Sequence, residues 1–291
     1  MTSEPVSNRQ AERLRELLAR GELVMMPCAF DALSAKLIEQ SGFELTFLSG
    51  FAASASRIGA PDVGLMSYGE VLDQARNALG AIDIPMMVDG DTGYGNPMNV
   101  ERTVEGFARA GCAGVMIEDQ VAPKRCGHTR GKEVVDREEA FDRIRAAVEA
   151  RSRADIVIQA RTDARRDLGL EEAIDRAQRF AEIGADIVFV EEPMSKDEMR
   201  TICREVPVPT VANMLEGGQT PILPPAELEE MGFAIAAYPL ACMSSAMQAM
   251  LQTLALLRAG EDHTGGLLPF GELRTRVGFD DYYESEARYS R

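Results

Sequence analysis

Short runs of apolar residues alternate along this chain with longer stretches of helical spacing. The runs fall at 23–28 (LVMMPC), 44–48 (ELTFL), 84–88 (IPMMV), 113–117 (AGVMI), 155–159 (DIVIQ), 185–190 (ADIVFV), 208–212 (VPTVA) and 233–237 (FAIAA). Each has the length of a strand, and nearly continuous apolar runs of this kind suit parallel strands covered on both faces. Between most of them lie stretches such as "EEAFDRIRAAVEARSR" and "LEEAIDRAQRFAEIGA", whose apolar positions recur three and four apart. Several of these helices end in one phrase before the next strand: "QSGFELTF", "RAGCAGVM", "EIGADIVF" and "EMGFAIAA". A glycine just past the last helical turn is the expected stop.

Eight strands alternating with helices predict a (β/α)8 barrel, with an open doubly wound sheet as the alternative because two of the strands are short. No Pro-, Gly- or Ser-rich linker divides the chain, so residues 1–291 are expected to form a single barrel domain. Past residue 240 the pattern is helical ("MSSAMQAMLQTLALLRAG") and then aromatic ("FGELRTRVGFDDYYESEARYSR"), which marks 241–291 as a C-terminal helical extension.

Composition narrows the function. With 45% hydrophobic and 27% charged residues the chain is ordinary globular material. Its 47 carboxylates against 31 Lys and Arg give a net charge of −16, which disfavours nucleic acid and anionic membranes as partners. No run approaches the ~18 apolar residues of a membrane span, and the N-terminal stretch is polar, without a signal core. Five cysteines, an odd number in mixed surroundings, do not resemble a disulfide framework. The expectation is a soluble cytoplasmic protein with reduced thiols.

In a barrel the chemistry lies at the C-terminal ends of the strands. Read in turn, these carry Asp31; Ser49 and Gly50; Asp89 and Asp91 within "DGDTGYGN"; Glu118 and Asp119; Arg161 and Asp163; Glu191 and Glu192; Asn213 and Glu216; and Tyr238. Any one of them is also a plausible helix cap. Acidic groups converging from the third, fourth and sixth strands would repel one another without a cation among them, and such oxygen ligands suit Mg2+ or Mn2+. "DGDTGYGN" has neither the P-loop spacing and its Lys nor G-x-G-x-x-G, and it lacks the EF-hand Glu. The cysteines lack zinc spacing, and His263 lies in a polar turn.

After the fourth strand comes "KRCGHTRGK" (124–132), which sets Cys126, Gly127 and His128 among four cations in an otherwise acidic chain. Placed over the mouth of a barrel, this loop is suited to bind and close over a carboxylate-rich substrate. Nearby cations favour the thiolate of Cys126, while a bound dicarboxylate favours the thiol, which would then donate its proton.

"KRCGH" after "EDQ", preceded by "DGDTGYGN" and followed by "ARTDAR" and "NMLEGG", resembles the isocitrate lyase/phosphoenolpyruvate mutase superfamily. The loop is similar to those of the 2-methylisocitrate lyase and 2,3-dimethylmalate lyase branch and its oxaloacetate hydrolase relatives, and the tail "FDDYYESEARYS" resembles the petal death protein group. The resemblance implies Mg2+ held by Asp89, with Asp91, Glu118 and Asp62 around it. It implies substrate held by Ser49, Gly50, Phe51, Gly127, His128, Arg161, Glu191 and Asn213, with Cys126 as the catalytic acid and Glu118 a candidate base. The implied reaction is a reverse aldol cleavage of a 2-hydroxy dicarboxylate to a 2-oxo acid such as pyruvate and a second carboxylate. Ser244 stands where methylisocitrate lyases carry an Arg for the third carboxylate, which favours a dicarboxylate of the 2,3-dialkylmalate type. Methylisocitrate cleavage, oxaloacetate hydrolysis or decarboxylation, phosphonomutase chemistry and a non-catalytic binding barrel are the alternatives. The resemblance also implies a homotetramer in which neighbouring subunits exchange the C-terminal helix.

Overall fold

The computed structural model describes residues 6–125 and 133–289. Eight parallel strands run β1 (Val24–Ala29), β2 (Thr46–Leu48), β3 (Met86–Asp89), β4 (Gly114–Glu118), β5 (Val157–Thr162), β6 (Ile187–Val190), β7 (Val211–Asn213) and β8 (Ile235–Tyr238), paired in the order β6-β5-β4-β3-β2-β1-β8-β7. One bridge between Val188 and Thr210 joins the two ends, with Val188 N–H donating to Pro209 O at 3.0 Å. The sheet is therefore a nearly closed (β/α)8 barrel, as the alternation predicts, and the open sheet is set aside.

Each strand begins one to three residues later than its apolar run. The ladders continue onto polar positions, with Asp89 opposite Met116, Glu118 opposite Arg161 and Asn213 opposite Ala237. Hydropathy ends a strand where side chains turn polar, but the backbone keeps pairing to the rim of the barrel. Glycine stops end the helices where expected: Gly42, Gly111, Gly184 and Gly232 have φ between 87° and 115°, a region closed to most side chains.

Met26, Phe47, Met87, Met116, Val157, Ile187, Phe189 and Ile235 fill the barrel interior. Ala11, Leu14 and Leu17 of the helix Arg9–Ala19 belong to the same cluster and close the N-terminal end. Asn8 caps this helix and ties it down, its Nδ2 donating to Cys112 O (2.7 Å) and Asp155 O (3.1 Å). A second cluster packs the outer face of the sheet on the helix ring and includes Phe107, Ile144, Phe180 and Ile202. Full burial of one such side chain contributes about 2 kcal/mol, so the bottom and flanks are rigid and the open rim is free to carry polar groups.

The chain divides into two compact units, one ending at residue 242 and one beginning at residue 243. The helix Ala241–Ala259 runs into the second unit, which continues with the helices Phe270–Val277 and Phe279–Ala287. Among the described residues no helix is long and apolar enough to cross a membrane. The described cysteines, Cys28, Cys112, Cys203 and Cys242, are free thiols.

Candidate active site

One cavity at the C-terminal rim is lined by Ser49, Gly50, Phe51, Asp62, Asp89, Glu118, Arg161, Glu191 and Asn213, each of them expected from the sequence. Ser49 ends the β2 segment and caps the helix Gly50–Ile58, accepting from Ala52 N–H at 3.4 Å. The free N–H groups of that first turn make a partial positive charge next to the acidic rim. Gly50 is required here: a Cβ would stand 2.3 Å from Asp89 Oδ2 and 3.1 Å from Lys124 Nζ.

Asp89, at the end of β3, accepts the Asp91 N–H at 3.0 Å, and Asp91 takes φ 50° to make that turn. Asp62, Asp89 and Asp91 converge on Lys124 Nζ at 2.9, 3.3 and 2.6 Å. This corrects the reading of the basic loop, because Lys124 is 4% exposed and turned down into the carboxylates. In a net-acidic cluster an ammonium is driven to the most negative point within reach. Arg125 remains exposed and lines the cavity, its N–H donating to Gln120 Oε1 at 2.9 Å. Cys126, Gly127 and His128 lie outside the described residues.

Arg161 ends the inward face of β5. Its Nε and Nη2 donate to Asp163 Oδ2 and Oδ1, both at 2.9 Å, and its charge reaches Glu191 Oε2 (3.1 Å) and Glu118 Oε2 (3.5 Å). The guanidinium carbon sits 5.3 Å from the centre of the Phe189 ring. Asn213 Nδ2 donates to Glu191 Oε1 at 3.2 Å, linking β7 to the turn after β6. Glu118 Oε1 is buried with no hydrogen-bond partner among the described residues.

Burial drives the titration of this rim. It holds Glu118 well above the usual carboxylate range against the pull of Arg161 and Lys124. Burial raises Asp91 to about 7, with Lys124 opposing and Asp89 adding to the rise. Asp89 itself stays low, because Lys124 and the Asp91 N–H outweigh its burial. Lys124 is held well above its ordinary value as its carboxylate neighbours overcome desolvation. Cys28 also lines the cavity, but burial pushes its thiol up, so it is neutral and a poor nucleophile.

Some strand-end residues serve the scaffold instead. Asp31 is a helix cap in a capping box with Ser34. Asp119 and Asp163 are buried in ion pairs with arginines. Glu192 follows β6 with φ 58°. Sequence reading missed the cavity's apolar wall, Leu215, Pro239 and Leu240, because those residues lie in loops where periodicity is silent. It also missed Gln159, two residues below Arg161 on the same strand face.

The fold and this rim define a (β/α)8-barrel enzyme whose mouth gathers carboxylates around a cation. Comparison with known proteins narrows the class. The chain belongs to the phosphoenolpyruvate phosphomutase family, whose model matches residues 14–258. It is 42% identical over 284 residues to the 2,3-dimethylmalate lyase of Eubacterium barkeri, covering 96% of this chain and 98% of that protein. It is 41% identical over 285 residues to the chloroplastic carboxyvinyl-carboxyphosphonate phosphorylmutase of Arabidopsis thaliana, covering 96% of this chain and 84% of that one. Among solved structures, oxaloacetate acetylhydrolase in complex with 3,3-difluorooxalacetate superposes with a TM-score of 0.92 at 37% identity, covering 99% of this chain and 98% of that one. Within this lyase and mutase superfamily the three relatives carry three different activities, so family membership alone does not select the substrate.

Proposed function

We propose that the protein is a Mg2+-dependent carbon–carbon lyase that cleaves a 2,3-dialkylmalate to a 2-oxo acid and a carboxylate. The observation that carries this reading is the mixed lining of the cavity. The Ser49–Gly50 helix start, Arg161 and Asn213 offer polar groups to a carboxylate and hydroxyl. Leu215, Pro239 and Leu240 add an apolar stretch of lining, which fits alkyl substituents better than a third carboxylate. The likeness to 2,3-dimethylmalate lyase supports the same choice.

Asp62, Asp89, Asp91 and Glu118 suit a hard divalent cation in kind: all four are oxygen donors, and Glu118 Oε1 is buried without a hydrogen-bond partner among the described residues. In the present arrangement no three acidic, Cys or His side chains among the described residues are grouped so as to share an ion. The ammonium of Lys124 holds their meeting point, and it would leave when Mg2+ binds. Bound there, Mg2+ would polarise the substrate's 2-hydroxyl and carboxylate and lower the hydroxyl pKa.

The protein's own groups carry the remaining chemistry. Arg161 and the N-terminal N–H groups of the helix Gly50–Ile58 hold carboxylate oxygens. Glu118, ionised beside a bound divalent cation, would take the hydroxyl proton. The oxygen's electron pair forms the C2 carbonyl as the C2–C3 bond breaks, and the pair from that bond passes to C3 as a carboxylate enolate. The Cys126 thiol gives its proton to C3. Gly127 and His128 bind the second carboxylate.

The second unit exposes Met250, Leu251 and Leu254 at 56%, 61% and 60%. An apolar helix face of this kind suits a second copy of the chain, in keeping with a homotetramer built by helix exchange.

The test is 2-oxo acid release from malate, 2-methylmalate, 2,3-dimethylmalate and 2-methylisocitrate, with and without Mg2+, for wild type and Cys126→Ser. Mg2+-dependent pyruvate from 2,3-dimethylmalate, reduced about a hundredfold or more in the variant, is the expected result. Turnover of oxaloacetate or a phosphonate precursor alone would move the protein to another branch of the family.

A further inference from the structure

Behind the cavity, a buried chain of polar contacts connects the outer helix ring to Arg161. Arg176, on the helix Leu170–Ile183, is 2% exposed and does not line the cavity. Its Nη1 donates to Asp119 Oδ2 (3.0 Å) and to Val135 O (3.0 Å), and its Nε donates to Glu172 Oε1 (2.8 Å). Asp119, 1% exposed at the end of β4, also accepts from Thr162 Oγ1 (2.7 Å) and from the Asp163 backbone N–H (2.9 Å). Its own N–H donates to Arg161 O at 3.3 Å. Asp163 then grips Arg161 through two parallel bonds.

We infer that Asp119 and Arg176 are positioning residues that fix the orientation of the Arg161 guanidinium for substrate binding. Arg161 is surrounded by Asp163, Glu118 and Glu191, and each of these carboxylates alone would aim the fork differently. A bidentate pair has a defined plane, so the carboxylate that grips both Nε and Nη2 sets the aim. Asp163 is the carboxylate that makes the bidentate pair, its backbone N–H is bound by Asp119, and Asp119 in turn is held by Thr162 and Arg176. Without Arg176, Asp119 keeps a buried negative charge with no cation bonded to it, and the cheapest relief is for the 162–163 turn to shift. The guanidinium would turn with it towards Glu118 and Glu191, away from an incoming carboxylate.

The consequence for catalysis rests on the lyase reading, but the geometric statement does not, and the experiment separates them. Wild type, Arg176→Met, Arg176→Lys and the isosteric Asp119→Asn are labelled with 15N-arginine. The Nε–H resonance of Arg161 is assigned by its loss in Arg161→Lys and followed without any ligand. The expected result is a sharp, downfield, slowly exchanging signal in wild type, displaced or broadened in Arg176→Met and Asp119→Asn, and restored in Arg176→Lys. In parallel, pyruvate release from 2,3-dimethylmalate should lose about tenfold or more in kcat/KM, mainly through KM, in the first two variants and recover in Arg176→Lys. An Arg161 signal unmoved in both Arg176→Met and Asp119→Asn, with a lowered unfolding temperature alone, overturns the inference. Should Arg176→Met fail to fold, Asp119→Asn decides. An inactive wild type would defeat the lyase reading while the resonance still answers the positioning question.

Discussion

Lys124 Nζ lies 2.6 Å from Asp91 Oδ1, and both side chains are buried at the rim of the barrel. The ammonium is the counter-charge that lets Asp62, Asp89 and Asp91 stand together, and it holds the point where those carboxylates meet. Lys124→Met should therefore destabilise the Mg2+-free protein by about 3 kcal/mol, since removing one partner strands buried charge. Mg2+ should raise the unfolding temperature of the variant more than that of wild type, because the ion no longer competes with an internal cation. Equal Mg2+ responses in thermal unfolding would remove Lys124 from this role.

Gly50→Ala tests the contact between the helix start after β2 and Asp89. The new Cβ would meet Asp89 Oδ2 at 2.3 Å, so one of the two must move. Both lie at the site, and the expected result is a loss of about tenfold to a hundredfold in kcat/KM with a weaker Mg2+ titration. The unfolding transition should shift little, because the interior and flank clusters are untouched. An unchanged Mg2+ midpoint would show that the rim absorbs the methyl group.

The apolar wall predicts specificity. Leu215→Ala removes surface from the side assigned to alkyl groups, so kcat/KM for 2,3-dimethylmalate should fall about tenfold, the worth of a methylene-sized contact or two. Unsubstituted malate should lose much less. Parallel losses on both substrates would place the alkyl groups elsewhere in the cavity.

Glu198 gives an acid-stability prediction away from the site. Arg165 bonds it at 2.8 and 2.5 Å and the Met194 N–H at 2.8 Å, and these bonds hold its pKa below the ordinary carboxylate value, chiefly through Arg165. A depressed folded pKa means stabilisation that is present above the unfolded value of about 4.3 and lost as pH falls through the folded one. The stability difference between wild type and Glu198→Gln should thus be constant above about pH 5 and shrink below about pH 4. The pair is half-buried at the surface, so the difference is modest. Chemical denaturation across pH 3–7 measures it, and a difference independent of pH would exclude the ion pair as its source.

Local signals determined the frame of this protein. Apolar runs of strand length, helical spacing between them and glycines placed to end helices state the alternation, and alternation of that length has few compact solutions. The strand-end rule then assigned Ser49, Asp89, Glu118, Arg161, Glu191 and Asn213 to one rim, where the structure brings them together. The C-terminal shift of each strand was hidden, because pairing is a property of two backbones and hydropathy of one side chain.

What only the tertiary structure decided is which charge meets which. "KRCGHTRGK" reads as a uniform basic run, yet Lys124 turns inward to three carboxylates while Arg125 stays exposed, a choice made by distances across three loops. Asp119 and Glu118 are neighbours in sequence and opposite in use, since alternation along β4 sends Glu118 to the cavity and Asp119 outward to Arg176. Leu215 comes from the loop after β7 and Pro239 and Leu240 from the loop after β8, and they line one cavity only when the barrel closes. Periodicity records which face a residue takes, whereas the partner on that face is set by the closure of the sheet.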